Sequence, residues 1–382
     1  LWNRVYGGCQ SGTVYGNTIV AVNDGYIAHN IFGGGLGSIE TIQNGNTEEE
    51  SITSADITGN TNLVITGGEA KLTSYWHADT RSWEPAATNN GNSNTYSPQY
   101  DHESRKFKIN HNIYAGGNAA CVVGEKDASG NTIANSGNTS LIMVKGILKT
   151  TTAVKPGVES ENTDYNFFET DEWKEVYNKI GSPHFCIFGG GFGEHTDVLG
   201  NTQVNIQMAA RSELGKIEDI NPDEAYKHFY SGYSMMDIVG GGYSGKVEGS
   251  THILGTGGIF CRRVFGGGFF NSVNSTKVDI KAIDCQDIFG GGLMGDVIKT
   301  TSITIGELKN STGDTSSTSA ASSSNYNNED IYIHGNVYGG NDVSGYVNIN
   351  DDNGFFAANG GDGTNIHIYG GHIYGDVYGA GN

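Results

Sequence analysis

Nine times along the chain a short apolar couplet runs into a glycine turn: Val5-Tyr6, Ile31-Phe32, Ile113-Tyr114, Ile187-Phe188, Ile238-Val239, Val264-Phe265, Ile288-Phe289, Val337-Tyr338 and Val377-Tyr378. Between couplets lies a second recurring element, a threonine that opens an alternation of apolar and polar positions. It reads Thr18-Ile-Val-Ala-Val, Thr61-Asn-Leu-Val-Ile, Thr139-Ser-Leu-Ile-Met, Thr202-Gln-Val-Asn-Ile, Thr251-His-Ile-Leu, Thr276-Lys-Val-Asp-Ile and Thr301-Ser-Ile-Thr-Ile. Period-two alternation predicts half-buried strands. Where nothing interrupts the repeat it is short, with 26 residues from Val5 to Ile31 and from Ile238 to Val264, and 24 from Val264 to Ile288.

A unit of that length holds two or three short strands and no helical crossover, so successive units bury their apolar faces only by stacking. Propeller blades need about 40 to 50 residues, and no leucine-rich L-x-x-L-x-L pattern recurs. The expectation is an all-β chain forming one right-handed parallel β-helix over residues 1–382, with coils of 24–26 residues rising about 4.8 Å each. Because the chain opens and closes inside the couplet motif, without the polar caps that solenoids need, it is expected to be a piece of a longer protein.

Four stretches interrupt the pattern, at about 72–112, 151–183, 211–236 and 309–328. The first is polar and aromatic. In the second, Trp173, Val176, Tyr177 and Ile180 fall at i, i+3, i+4 and i+7, which predicts an amphipathic helix over 171–180 behind Thr170. The third carries Asn221-Pro222-Asp223-Glu224, a helix start that predicts a short helix to about Tyr230. The fourth is rich in Ser, Thr and Asn and reads as a loop.

Composition narrows the partners. Lys+Arg number 22 against 42 Asp+Glu, a net charge of −20, and no basic block interrupts it. Nucleic acid and anionic lipid are therefore excluded as expected partners, and cations or neutral glycans suit the chain better. No apolar run of about 18 residues offers direct membrane insertion. The five cysteines lack disulfide-framework or zinc spacing; Cys261 and Cys285, each three residues before a couplet, should stack as buried thiols.

The residue before each couplet forms a polar column: Arg4, Asn30, Asn112, Cys186, Asp237, Arg263, Asp287, Asn336 and Asp376. Asp237, Arg263 and Asp287 should form a ladder of alternating sign, a structural arrangement, because an intervening Arg lowers both carboxyl pKa values instead of separating them. The candidate catalytic set is Asp279, Asp284 and Asp287, in one coil. No cofactor is expected; were calcium bound, the oxygen-rich turns with Asp351 and Asp352 and the nonapeptide-like stretch with Asp362 would be the candidates. The couplet aromatics pose a choice. Alternation sets them on the polar column's side as a ladder for sugar rings, but so long an exposed stripe invites aggregation, so the expectation is that the chain bends at the glycines and tucks them inward. Ligand contact then falls to Tyr75, Trp76, Trp83, Tyr96 and Tyr100 in the first insertion, since loops on a rigid scaffold commonly carry recognition.

The motif Ile187-Phe-Gly-Gly-Gly-Phe-Gly with Gly200-Asn-Thr-Gln-Val-Asn-Ile206 resembles glycine-rich repeats in large surface and secreted proteins of gut Bacteroidetes and similar bacteria. It is also broadly similar to the β-helical shafts of filamentous adhesins. The resemblance covers most of the chain outside the insertions and concerns repeat style. It implies an extracellular or cell-surface location and a non-enzymatic scaffold or adhesin whose loops bind a glycan or a host or bacterial surface protein. A polysaccharide lyase or glycoside hydrolase on the same fold is the alternative from another class. A third is a structural subunit of a surface fibre that associates end to end.

Overall fold

The couplets pair with one another in chain order, each parallel to the next: Val5 with Ile31, Ile31 with Ile113, then Ile187, Ile238, Val264, Ile288, Val337 and Val377. The threonine strands do the same, from Thr18 through Thr61, Thr139, Thr202, Thr251, Thr276 and Thr301 to Thr364. Between these two sides, single residues bridge the coils: Val14, Ile57, Val123, Val198, Val247, Val273, Val297 and Val347. A further side, just before each couplet, stacks Met235, Cys261, Cys285, Ile333 and Ile373. The computed structural model describes residues 3–23, 26–27, 29–44, 46–65, 74–77, 82–85, 108–109, 112–144, 186–207, 234–307, 328, 331–348 and 363–382. Over these residues the chain is a parallel β-helix, as its repeat predicted. The two expected helices and the Ser/Thr/Asn-rich stretch up to residue 327 lie outside the described residues.

Except in the last coil, the first residue of each couplet and the alternate residues of each threonine strand point into one continuous aliphatic core, from Val20 and Ile31 to Ile333 and Val337. Cys261 and Cys285 sit in it, buried on neighbouring rungs. Polar residues hold the rungs in register. Each buried strand-opening threonine donates its hydroxyl to the carbonyl after the next coil's couplet, Thr18 to Gly33, Thr61 to Ala115, Thr202 to Gly240 and Thr276 to Gly290 among them, at 2.5–2.7 Å. A Cβ at Gly240 would lie 2.2 Å from the Gly266 oxygen and 3.0 Å from Thr251 Cβ, so glycine permits this approach of coil to coil. Ala115 occupies the same column two turns away.

Asparagine and aspartate add a ladder at each corner, and every one runs in the same sense. The side-chain oxygen in one coil accepts a backbone N–H from the next. Before the threonine strands, Asn17 accepts from Asn60, Asn60 from Asn138, Asn138 from Asn201 and Asn201 from Ser250. Before the couplets, Asn30 accepts from Asn112, Asn112 from Cys186, Asp287 from Asn336 and Asn336 from Asp376. At the valine corner, Asp56, Asp197 and Asp296 accept from Val122, Lys246 and Tyr346. These ladders give the Asn of the recurrent Gly-Asn-Thr its purpose, because they satisfy corner N–H groups without water.

The aromatic column answers the choice above in a third way. Phe32, Tyr114, Phe188, Phe265 and Phe289 are buried, as expected, but in a cluster separate from the aliphatic core. Alternation holds. The rings share a side with the polar column, since Asn112 and Asn336 donate to the hydroxyls of Tyr114 and Tyr338, and Arg263 lies over the Phe265 ring. What buries them is the stack itself, with neighbouring rings 4.9–5.0 Å apart and nearly parallel, together with Phe192, Tyr243, Phe269 and Leu293 from the turns after the glycines. In the coil of Val239 no ring is available. Phe269 fills that gap edge-on, 5.1 Å from Phe188 and 5.5 Å from Phe265.

Two excursions went unread in the sequence. Ser38–Asn44 and Thr47–Thr53 form an antiparallel ribbon between a couplet and the valine corner, and Lys126 pairs with Thr132 in a smaller one. Asn44-Gly45 is the signal for the first, since Asn-Gly between alternating strands is a strong hairpin indicator.

Candidate functional site

The long interruptions leave the helix at one corner. The chain departs at the ends of the threonine strands Thr61–Ile65, Thr139–Val144 and Thr202–Gln207, and rejoins just before the next couplet, at Asn112, Cys186 and Ser234. Those are three consecutive coils, and the fourth interruption departs from the same corner after Thr301–Ile305. In the uninterrupted coils, strands Val247–Phe265 and Val273–Phe289 turn this corner without leaving the helix. Origins one coil apart are separated by about 4.8 Å, so three insertions emerge side by side.

The first of them contains a hairpin, Ser74–His77 paired with Ser82–Pro85, in which Trp76 stands directly across from Trp83 and Tyr75 across from Glu84. The same insertion returns through Lys108–Ile109, which pairs with Tyr26–Ile27. Tyr96 and Tyr100 lie outside the described residues, as do Asp351, Asp352 and Asp362. Among the described residues no group of three His, Cys, Asp or Glu side chains is placed to hold a metal, and no helix is long and apolar enough to cross a membrane.

The charged groups engage one another. Arg263 grips Asp237 with two hydrogen bonds, Nε to Oδ1 at 3.1 Å and Nη2 to Oδ2 at 2.9 Å, and its Nη1 reaches Asp342 Oδ2 at 2.9 Å. Asp237 is 2% exposed. Burial opposes the guanidinium charge, yet Asp237 and Asp342 outweigh it and raise the Arg263 pKa. The expected ladder of alternating sign therefore exists with one change of partner, Asp342 taking the second arm. Asp287 accepts from the Asn336 N–H, and burial, reinforced by the Asp342 charge, raises its carboxyl pKa.

Asp279, Asp284 and Asp287 share one strand, but Asp279 and Asp287 have different neighbours. Asp279 is clasped from outside the helix by His252 at 2.8 Å and Lys277 at 2.6 Å. Burial pushes its carboxyl up, and these two donors overcome that to hold it at about 2. The side chain of Asp284 lies outside the description. A general acid and base would have to reach one substrate bond, whereas Asp279 serves a surface triad and Asp287 a backbone ladder. No metal or cofactor is needed to explain either.

A carboxylate whose pKa falls on folding stabilises the fold above its unfolded value, near 3.9, and that contribution is lost as pH falls through about 2. Asp279→Asn should therefore be less stable than the wild type at pH 5, with the difference closing by pH 2. Urea midpoints measured across that range check it; a constant gap would reject the assignment.

No protein-family model, no curated protein and no solved structure matches the chain.

Proposed function

We propose that the chain is a non-enzymatic β-solenoid scaffold of the bacterial cell surface whose corner insertions bind a neutral glycan. The observation that carries this reading is that three successive coils are interrupted at one corner, so that the three interruptions start beside one another on a stiff support. Aromatic side chains suit sugar faces because a ring buries apolar area with little loss of freedom. The tryptophans opposed in the hairpin, Trp76 and Trp83, with Tyr75, are the contact residues assigned here, and Tyr96 and Tyr100 belong to the same segment. A net charge of −20 turns polyanions away and leaves neutral chains as the class to test. The buried or engaged state of Asp237, Asp279 and Asp287 favours this over hydrolysis or elimination on the same fold.

Co-sedimentation with insoluble neutral polysaccharides, cellulose, chitin and xylan, tests it. The protein should pellet with at least one of them, and the double variant Trp76→Ala/Trp83→Ala should bind about tenfold more weakly, the loss typical of a removed aromatic anchor. Absence of binding to all three, or equal binding by the double variant, rejects the reading. Release of new reducing ends or unsaturated products would replace it with the enzymatic alternative.

A further inference from the structure

The ribbon of Ser38–Asn44 and Thr47–Thr53 has seven residues in each strand and an unbroken antiparallel register from Ser38–Thr53 to Asn44–Thr47. Among the described residues no third strand pairs with it. A two-stranded hairpin is marginal in water, and three strands are the usual minimum for stability. Open edges are usually blunted by charged side chains, lysine above all, by proline or by a bulge. Here the ribbon carries Glu40, Glu48, Glu49 and Glu50, all exposed, beside Ile42 and Ile52 at 50% and 47% exposure.

The acidic surface continues off the ribbon. His195 Nε2 lies 3.4 Å from Glu50 Oε2, while Gln43 Nε2 donates to Glu48 Oε1 at 2.6 Å and Asn44 Nδ2 to Glu49 Oε1 at 3.3 Å. His195 also lines a recess of about 460 Å³ with Glu194, Asp197, Ser244, Asn271 and Phe270, the last 47% exposed. Ribbon edge, carboxylates and a polar recess with one aromatic wall, Phe270, thus adjoin.

We propose that the Thr47–Thr53 edge accepts an extended cationic segment of a partner protein as a third strand, with one apolar side chain seated against Phe270. Strand addition supplies main-chain hydrogen bonds to an edge that lacks them, and alternate side chains give the specificity. Lysine or arginine facing Glu48 and Glu50, which share one face of the strand, supplies the complementary charge. A second copy of this chain is disfavoured as the occupant, because it would set glutamate against glutamate across the new pair. The site is separate from the insertion corner and does not rest on glycan binding.

The probe is a fluorescein-labelled alternating lysine–valine decapeptide ending in phenylalanine, with its glutamate–valine counterpart as control, titrated into the full chain by fluorescence anisotropy. The lysine peptide alone should bind, and amide exchange should slow across residues 38–53. Glu48→Lys/Glu50→Lys should weaken binding at least about tenfold, and Phe270→Ala about threefold. Both change exposed side chains, and an unaltered circular dichroism spectrum verifies that each variant folds. Equal binding to the charge-reversed variant, no slowing of exchange in the ribbon, equal binding of the glutamate peptide, or a dimer paired through this edge in sedimentation would each overturn the proposal.

Discussion

Replacing Arg263 by alanine should lower the unfolding free energy by about 3–5 kcal/mol, because it strands Asp237 in the interior without a partner. Asp237 is 2% exposed and both its oxygens accept from the guanidinium. The loss comes from the charge left behind, not from the worth of the pair. Accordingly Asp237→Leu/Arg263→Met should recover most of it, since well-packed apolar residues often replace a buried pair at little cost. Recovery should stop short of complete, because Asp342 still loses its contact with Arg263. Urea denaturation of the two variants checks this. Were the single variant as stable as the wild type, the account of this network would be wrong.

Phe269→Ala should cost about as much, roughly 3–5 kcal/mol for a buried aromatic. Its ring fills the space opposite Val239, edge-on to Phe188 and Phe265. Val239→Phe alone should also destabilise, by about 1–3 kcal/mol of overpacking. Combined, the two changes should be much less harmful than their sum, because a phenylalanine at 239 would continue the stack in the room that Phe269 vacates. A double-mutant cycle measures this coupling. Strict additivity would show that Phe269 does not occupy the missing rung.

These two sites also show where sequence reasoning reaches its limit. The couplets and threonine strands were readable because their side chains repeat at a fixed offset, and a parallel stack converts that offset directly into register. On the side formed by Met235, Cys261, Cys285 and Ile333 only the two cysteines share a residue type, so their stacking was readable but the strands around them gave no motif to find. Arg263 and Asp342 lie 79 positions apart, and only the lengths of the intervening coils bring them together. Burial of the aromatic column was anticipated, but its separate cluster was not, since the cover comes from Phe192, Tyr243, Phe269 and Leu293, which vary in type from turn to turn. At the insertion corner the aromatic residues were legible as a composition, and the corner itself became visible only when three departures fell at equivalent strand ends.

The parallel pairing has a mechanical consequence. Hydrogen bonds between rungs run along the axis, so tension on the two ends loads them one rung after another instead of shearing them all together. An uninterrupted coil of 24 residues, such as Val264 to Ile288, would release at most about 80 Å of slack when it peels away. Coils with long corner excursions would release more. Under flow the molecule would therefore lengthen in discrete increments while its remaining turns stay wound, behaving as a graded shock absorber.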